Sequence, residues 1–353
     1  MARNVGCHAG KILRLAQICG VALGLLSASP GAQAQGQALK PITVFMFAVP
    51  SGPIVPYYYG VGAGIYKKHG FDVTLRVLGG GALNGNQLVS QGQGEFAVAD
   101  ATSYLEMRTQ GAPITAVMGA IQGDASGVVV HKALNITTPA QLRGRKVAVV
   151  NNSGSQYLFP VYLKANGVDP KDVDIVALSA AAKNTAFIAK TVDGTVAFGD
   201  VTAPLYESQG MPVTVLPYGD KVPYLQFVIT TRDALIKSDP DLVKRFVLAT
   251  SEAYHGTMAN IPMAAKYTIE MSNGTAPPQD VLEKQTLGIL PYTSTKRDAG
   301  KPLGWMAEAD WADTIRLSRE YLGLKADPKP ADMYTNEFVE GAVVNPEWAY
   351  SGK

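Results

Sequence analysis

Four stretches of this chain hold polar side chains just beyond apolar runs, and their chemistry is hydrogen bonding to a small molecule rather than bond breaking. In residues 151–157, Ser153, Gly154 and Ser155 stand ahead of an apolar run, with Tyr157 close behind. Backbone amides at such a helix start point outward and favour an oxyanion or a carbonyl. A serine there can equally be an ordinary helix cap. Asp200 follows the apolar Thr195–Phe198. It can accept from a ligand amine or ring N–H, or cap a helix starting near Ala203. Asp100 stands the same way after Phe96–Ala99, with Thr102 and Ser103 behind it. Residues 49–59 offer Ser51 together with Tyr57 and Tyr58. Those rings can stack on a flat ligand while their hydroxyls stay hydrogen-bonded, or pack the protein's own interior. Gly80, within Gly79–Gly81, can bring backbone close to a ligand or simply make a turn. Asp124 can reach a ligand or act in a hinge. No arginine stands in the four loops, which favours a neutral or aromatic organic ligand over a small anion.

The reactive inventory is thin. Beyond position 34 the histidines are His69, His131 and His255, widely separated and in unlike contexts. No H-E-x-x-H, C-x-x-C or G-x-S-x-G pattern occurs, and no histidine has an evident place beside a serine or aspartate. Neither a metal site nor a cofactor is expected, and the glycine run is not a dinucleotide fingerprint. The N-terminus reads as a secretory leader: Arg3, Lys11 and Arg14, an apolar run Ile18–Leu26, then Ala32-Gln33-Ala34 as an A-x-A cleavage site. Cleavage after Ala34 removes both cysteines, Cys7 and Cys19, and three positive charges. The net charge of +2 then becomes about −1, by subtracting those three. A near-neutral chain gives no reason to expect a nucleic-acid partner. An exported chain without disulfides fits a periplasm better than a cysteine-stapled extracellular module.

The elements that must position these loops alternate. Strands are expected at Ile42–Phe47, Phe71–Leu78, Phe96–Ala99 and Ile114–Met118, with helices at Tyr58–Lys68, Leu83–Ser90 and Ser103–Arg108 between them. The pattern then restarts. Strands are expected at Gly127–Val130, Arg145–Val150, Asp174–Leu178, Thr195–Phe198 and Val213–Leu216, and Leu225–Thr230 follows. A helix opens at Thr138-Pro139, and another runs from Gln156 to Asn166 with Pro160 near its first turn. The last section is mainly helical. One long helix opens at Asp239-Pro240-Asp241, and another, Trp305–Tyr321, carries an apolar stripe of Met306, Ala309, Ala312, Ile315 and Leu317. The two halves echo each other: Gly94-Glu95-Phe96-Ala97-Val98-Ala99-Asp100 is similar to Gly194-Thr195-Val196-Ala197-Phe198-Gly199-Asp200. This is an α/β chain of two similarly built lobes. Residues 1–34 form the leader, 40–124 and 222–350 a discontinuous lobe 1, and 125–221 lobe 2. The crossings are expected near Ile121–Val128 and Pro217–Leu225.

Certain segments carry a family likeness. They are Gly64-Ile65-Tyr66-Lys67-Lys68-His69-Gly70-Phe71-Asp72-Val73, the glycines Gly79–Gly81, Leu88 with Gly92 and Gly94–Asp100, and Leu142–Val149 followed by Ser153-Gly154-Ser155. In this order they resemble the periplasmic solute-binding proteins of ABC importers, and more narrowly the NMT1/THI5-like group. That group includes binders of sulfonates, taurine, nitrate and pyrimidine precursors of thiamine. The likeness spans about Ile42 to Leu216. It departs after Phe198, where the family often has a tryptophan and this chain reads Val201-Thr202-Ala203-Pro204-Leu205-Tyr206. The resemblance implies a type II two-lobed binding protein, each lobe a mixed sheet flanked by helices. It further implies capture of a small organic solute between the lobes, delivery to an ABC permease, and action as a monomer. A sensor or adaptor would use the same cleft, and a secreted enzyme is the remaining alternative.

Overall fold

The computed structural model describes residues 38–78, 82–151 and 153–344. Residues 1–34, expected as a leader, and the glycines 79–81, Gly80 among them, lie outside the described residues. The chain opens with β1 (Lys40–Met46), α1 (Val55–Gly62), α2 (Ile65–Lys68), β2 (Phe71–Val77), α3 (Ala82–Ser90), β3 (Phe96–Asp100), α4 (Ala101–Thr109) and β4 (Ile114–Ile121). It crosses into β5 (Ser126–His131), β6 (Lys146–Val150), α5 (Gly154–Ala165), β7 (Asp174–Leu178), α6 (Ala180–Ile188), β8 (Gly194–Phe198), α7 (Gly199–Ser208) and β9 (Val213–Pro217). It returns as β10 (Phe227–Arg232), α8 (Asp233–Ser238), α9 (Pro240–Ala259), α10 (Ile261–Met271), α11 (Gln279–Ile289) and α12 (Glu308–Tyr321).

The described strands form two five-stranded sheets, ordered β2-β1-β3-β10-β4 and β7-β6-β8-β5-β9. In each sheet one strand runs against its neighbours: β10 is antiparallel to β3 and β4, and β5 to β8 and β9. Both antiparallel strands follow directly on a crossing between the sheets. The halves are therefore topological copies, with β1, β2 and β3 answering β6, β7 and β8. The two sequence echoes become β3 and β8. Two mixed sheets flanked by helices are the architecture that the family resemblance implies.

The core follows the strand periodicity. Val44, Phe96, Val98 and Ile229 bury one face of the first sheet under α1 and α9, where Phe246 stacks on Phe96 with ring centroids 3.8 Å apart. Phe45, Ala97, Ala116 and Val228 bury the other face with Trp311. In the second sheet, Val128, Val147 and Val196 face Phe159 and Tyr162 of α5, while Val129, Ala148 and Ala197 face Phe187 of α6 and Tyr206 of α7. Alternate residues on opposite faces are the period of two that a sheet covered on both sides demands.

Local chemistry moved several expected boundaries. The helix expected at Tyr58–Lys68 is two helices, because Gly64 takes a left-handed φ of 72° between them. Thr138-Pro139 opens only a single 3₁₀ turn, Pro139–Leu142, in which the Thr138 amide donates to Gln141 Oε1 at 3.0 Å. Helix α5 starts at Gly154, so Pro160 falls in its second turn rather than its first. The buried side of α12 is Trp311, Thr314, Ile315, Leu317 and Ser318, whereas Ala309 and Ala312 are exposed. Thr314 is inside because its hydroxyl donates to Asp310 O at 2.8 Å and accepts from the Leu225 amide at 2.9 Å. A threonine so satisfied costs little to bury.

Candidate functional site

Parallel strands bring their carboxyl ends to one edge, and ligands of such sheets sit beyond that edge. In the second sheet this edge carries the first turns of α5, α6 and α7. In the first it carries the loop after β1 and the start of α4. The amino end of β10 joins the latter edge, since Phe227 pairs in register with Asp100. The two edges meet. Gly288 of α11 lies so close to α7 that a β-carbon there would stand 2.8 Å from both Asp200 Cβ and Asp200 O. The buried Gln285 amide donates to Val201 O at 2.8 Å and accepts from the Gly52 amide at 3.3 Å. One side chain thus ties the loop after β1, α11 and α7 together. Tyr292 donates to Asp200 Oδ2 at 3.1 Å across the same contact. Burial, then the Asp200 charge, holds the Tyr292 hydroxyl above its ordinary ionisation range.

The expected site residues fall into three groups. Those on the second-sheet edge are Ser153, Gly154, Ser155, Tyr157 and Asp200. Ser153 donates to Val150 O at 2.6 Å and shares a 2.8 Å hydrogen bond with Ser155 Oγ, which accepts from the Val150 amide at 3.2 Å. Neither serine side chain caps α5. The pair instead braces the loop against its own strand. Tyr157 is 40% exposed on the first turn. Asp200 is exposed within the first turn of α7, a helix that begins at Gly199 rather than near Ala203.

The second group lies on the first-sheet edge. Asp100 is the N-cap of α4: its Oδ1 accepts from the Ser103 amide at 2.8 Å and from Thr102 Oγ1 at 2.6 Å. Ser103 Oγ donates back to Asp100 O at 3.0 Å. All three residues are engaged with one another in one turn. Burial pushes the Asp100 carboxyl up, and the donors from Thr102 and Ser103 oppose it. Ser51 caps nothing with its side chain and donates to Val49 O at 3.1 Å.

The third group is interior. Tyr57 is fully buried, its hydroxyl 3.2 Å from that of Tyr254 and the rings edge-to-face at 5.7 Å. The structure places it in the core between α1 and α9 and brings it to neither edge. Tyr58 is also buried in that core cluster. Asp124 lies in the first crossing. Its Oδ1 accepts from the Ser126 amide at 2.8 Å and from the Gln226 amide of the second crossing. The crossings are thereby pinned side chain to side chain. Asp124 Oδ2, Gln226 Oε1 and the Tyr218 hydroxyl are buried without a partner among the described residues. Burial raises the Asp124 carboxyl to about 7.

Sequence reasoning missed the aromatic floor of this contact. Phe47 stacks on Phe227 at 3.8 Å and 22°, and Phe198 meets Phe227 edge-on at 6.0 Å and 89°. Phe47 follows β1, Phe198 ends β8 and Phe227 opens β10, so both sheets contribute a ring. The signal was an aromatic residue at the edge end of three strands. Each reads as ordinary core until pairing puts those ends together. Gln226 left a similar trace, a lone amide in an apolar stretch, whereas Gln285 follows Glu283 and Lys284 and reads as solvated. Among the described residues no group of three histidines, cysteines or acids could hold a metal ion.

The NMT1/THI5-like family profile matches residues 52–265 of this chain. The riboflavin-binding protein RibY of Chloroflexus aurantiacus is 26% identical over 323 residues, covering 89% of this chain and 90% of RibY. The fold is similar to that of the periplasmic aliphatic sulphonate binding protein SsuA from Escherichia coli, with a TM-score of 0.67 at 14% identity over 85% of this chain and 93% of that one. It is also similar to the periplasmic nitrate-binding protein NrtA from Synechocystis PCC 6803, with a TM-score of 0.60 at 12% identity over 86% of each chain. The chain belongs to the NMT1/THI5-like family.

Proposed function

We propose that this protein captures a flat heteroaromatic solute between its lobes and hands it to the permease of an ABC importer in the periplasm. Solute capture for such an importer is the general activity of the family and fold. The aromatic character of the solute is our reading, and the observation that carries it is the Phe47–Phe227–Phe198 cluster, with rings drawn from both sheets at the edge where ligands of such folds sit. Offset and edge-on rings accept a further aromatic face at little cost. RibY, which carries riboflavin in its name, supports the same class.

In this reading Asp200 and the start of α5 supply polar contacts, with Ser153, Gly154, Ser155 and Tyr157 around them. Ser51, Thr102 and Ser103 border the opposite wall. The lobes divide at 40–124 with 222–350 and at 125–221, the leader is cut after Ala34, and the protein acts as a monomer. Titration calorimetry with riboflavin, lumichrome, an alkanesulfonate and nitrate tests the solute class. We expect binding of a flat ring system and a loss of roughly tenfold or more in Phe227→Ala, because the buried Phe227 ring holds the half-buried Phe47 and Phe198 rings in place. Binding of the alkanesulfonate or nitrate without any aromatic probe would overturn the reading.

A further inference from the structure

Lys183 sits in the first turn of α6 and is 8% exposed. Among the described residues it is the one lysine or arginine whose side chain is buried. Its ammonium donates to Val196 O at 2.8 Å, and among the described residues no carboxylate lies within 4.0 Å of it. A buried ammonium needs a counter-charge or a full set of acceptors, and a single carbonyl leaves two of its three donors over. Burial alone lowers this amine to about 8.

The position is specific. Val196 lies two residues before Phe198, at the middle of β8. β6, β7 and β8 are parallel, so the first turn of α6 shares its edge with the first turns of α5 and α7. The loop into α5 is joined to the end of β7 by the Asn151 amide, which donates to Leu178 O at 2.8 Å. The cation therefore lies beneath the edge that carries Ser153, Ser155 and Asp200. Thr195, on the strand that Lys183 touches, has a buried hydroxyl without a partner.

We propose that Lys183 is the counter-charge for an anionic group of the solute, which enters the lobe 2 edge beside the start of α5. This rests on the cleft reading above and narrows its ligand to an aromatic compound bearing a carboxylate or phosphate. The amino end of the α5 dipole adds to the attraction without a second formal charge. Asp200, at the far end of the same edge, faces the uncharged part of the ring.

Matched pairs of probes test it: nicotinate against nicotinamide, and riboflavin 5′-phosphate against riboflavin, with inorganic phosphate and sulfate alone. Thermal shift and calorimetry are run on wild type, Lys183→Met and Lys183→Gln, each checked for native circular dichroism. The expected result is tighter wild-type binding of at least one anionic partner, and a loss of roughly 10- to 100-fold in both variants for that probe, the size of a charge-assisted hydrogen bond. Affinity for neutral probes then changes less than threefold. Wild-type binding of neutral probes alone sinks the Lys183 subsite and leaves the cleft reading standing. Binding of no probe sinks both. An equal loss for neutral and anionic probes assigns Lys183 a packing role and overturns the proposal. Should Lys183→Met fail to fold, Lys183→Gln, which keeps a donor for Val196 O, gives the same readings.

Discussion

Asp100 and Asp200 close the two sequence echoes and stand at topologically equivalent ends of β3 and β8, yet their carboxylates do different things. Asp100 turns back on its own chain, accepts from Thr102 and Ser103, and starts α4. Asp200 lies one step inside a helix whose N-cap is Phe198, so it caps nothing and reaches across to the Tyr292 hydroxyl of the other lobe. The difference is one of helix phase. α4 begins immediately after its aspartate, whereas α7 begins immediately before, at Gly199. A shift of two residues turns a structural cap into a group presented between lobes.

The strongest way to break this comparison is to deny Asp200 its neighbour. Gly288→Val sets a branched side chain where even a β-carbon would stand only 2.8 Å from Asp200 Cβ and O. The helices α7 and α11 must then part. Overpacking of this kind costs about 1–3 kcal/mol. We expect roughly a tenfold or greater loss of affinity for the aromatic probe, with a larger radius of gyration by small-angle scattering and unchanged circular dichroism. Unaltered affinity would show that the α7–α11 contact is no part of the ligand-bound state.

A third aspartate sharpens the contrast between buried and presented carboxylates. Asp124 is 7% exposed and titrates near 7 in the folded protein, held there by burial against donors from Ser126 and Gln226. Tyr218, Tyr224 and Tyr292 also feel its charge. In the unfolded chain an aspartate ionises near 3.9. Between those values the folded state holds a proton that the unfolded state has lost, so this stabilisation is complete below about 3.9 and disappears as pH rises through about 7. Asp124→Asn keeps an acceptor for Ser126 and removes the buried charge. Its melting temperature should exceed that of wild type at pH 8, by a free energy on the order of a few kcal/mol, and converge with it near pH 4. Equal melting at pH 8 would mean that the folded protein accommodates the ionised carboxylate.

Asp100→Ala and Asp200→Ala then separate the two roles directly. Loss of the α4 cap should cost about 1 kcal/mol of stability with affinity unchanged. Asp200→Ala should leave stability within about 0.5 kcal/mol and lower affinity for a ligand with ring N–H donors. Thermal melts and calorimetry on the pair decide it; the reverse assignment of effects would dissolve the distinction.

Much of this frame was legible in the sequence because it rests on period and punctuation. Short apolar strands and the Gly94–Asp100 and Gly194–Asp200 echoes follow from patterns that local chemistry enforces. The site was less legible. Ser153 and Ser155 have the chemistry of a cap or a ligand contact, and the structure gives them a third task, bracing Val150. Tyr57 has the chemistry of a stacking residue, but its helix phase turns it into the core. Phe47, Phe198 and Phe227 are 151 and 29 residues apart along the chain. Only strand pairing and the contact between edges assemble them. Gln285 works through its backbone neighbours on two other elements, which no local window contains. Composition also hid Lys183, since a lysine in a helix reads as solvated until its burial is known.

The smallest effect is the most direct test of what crosses between the lobes. Tyr292→Phe removes the hydroxyl that meets Asp200 Oδ2 and leaves the ring in place. The bond is exposed, so its net worth should fall near 0.5–1 kcal/mol, about a two- to fivefold effect on ligand affinity. If Asp200 acts partly through Tyr292, the effects of Tyr292→Phe and Asp200→Ala will not add: the double variant will fall short of the sum by that same coupling. If Asp200 acts on the ligand alone, the two effects add, and Tyr292 is a neighbour without a role. A cycle of four proteins measured by calorimetry distinguishes these cases, because each single substitution leaves the strands, the caps and the Gln285 bridge untouched.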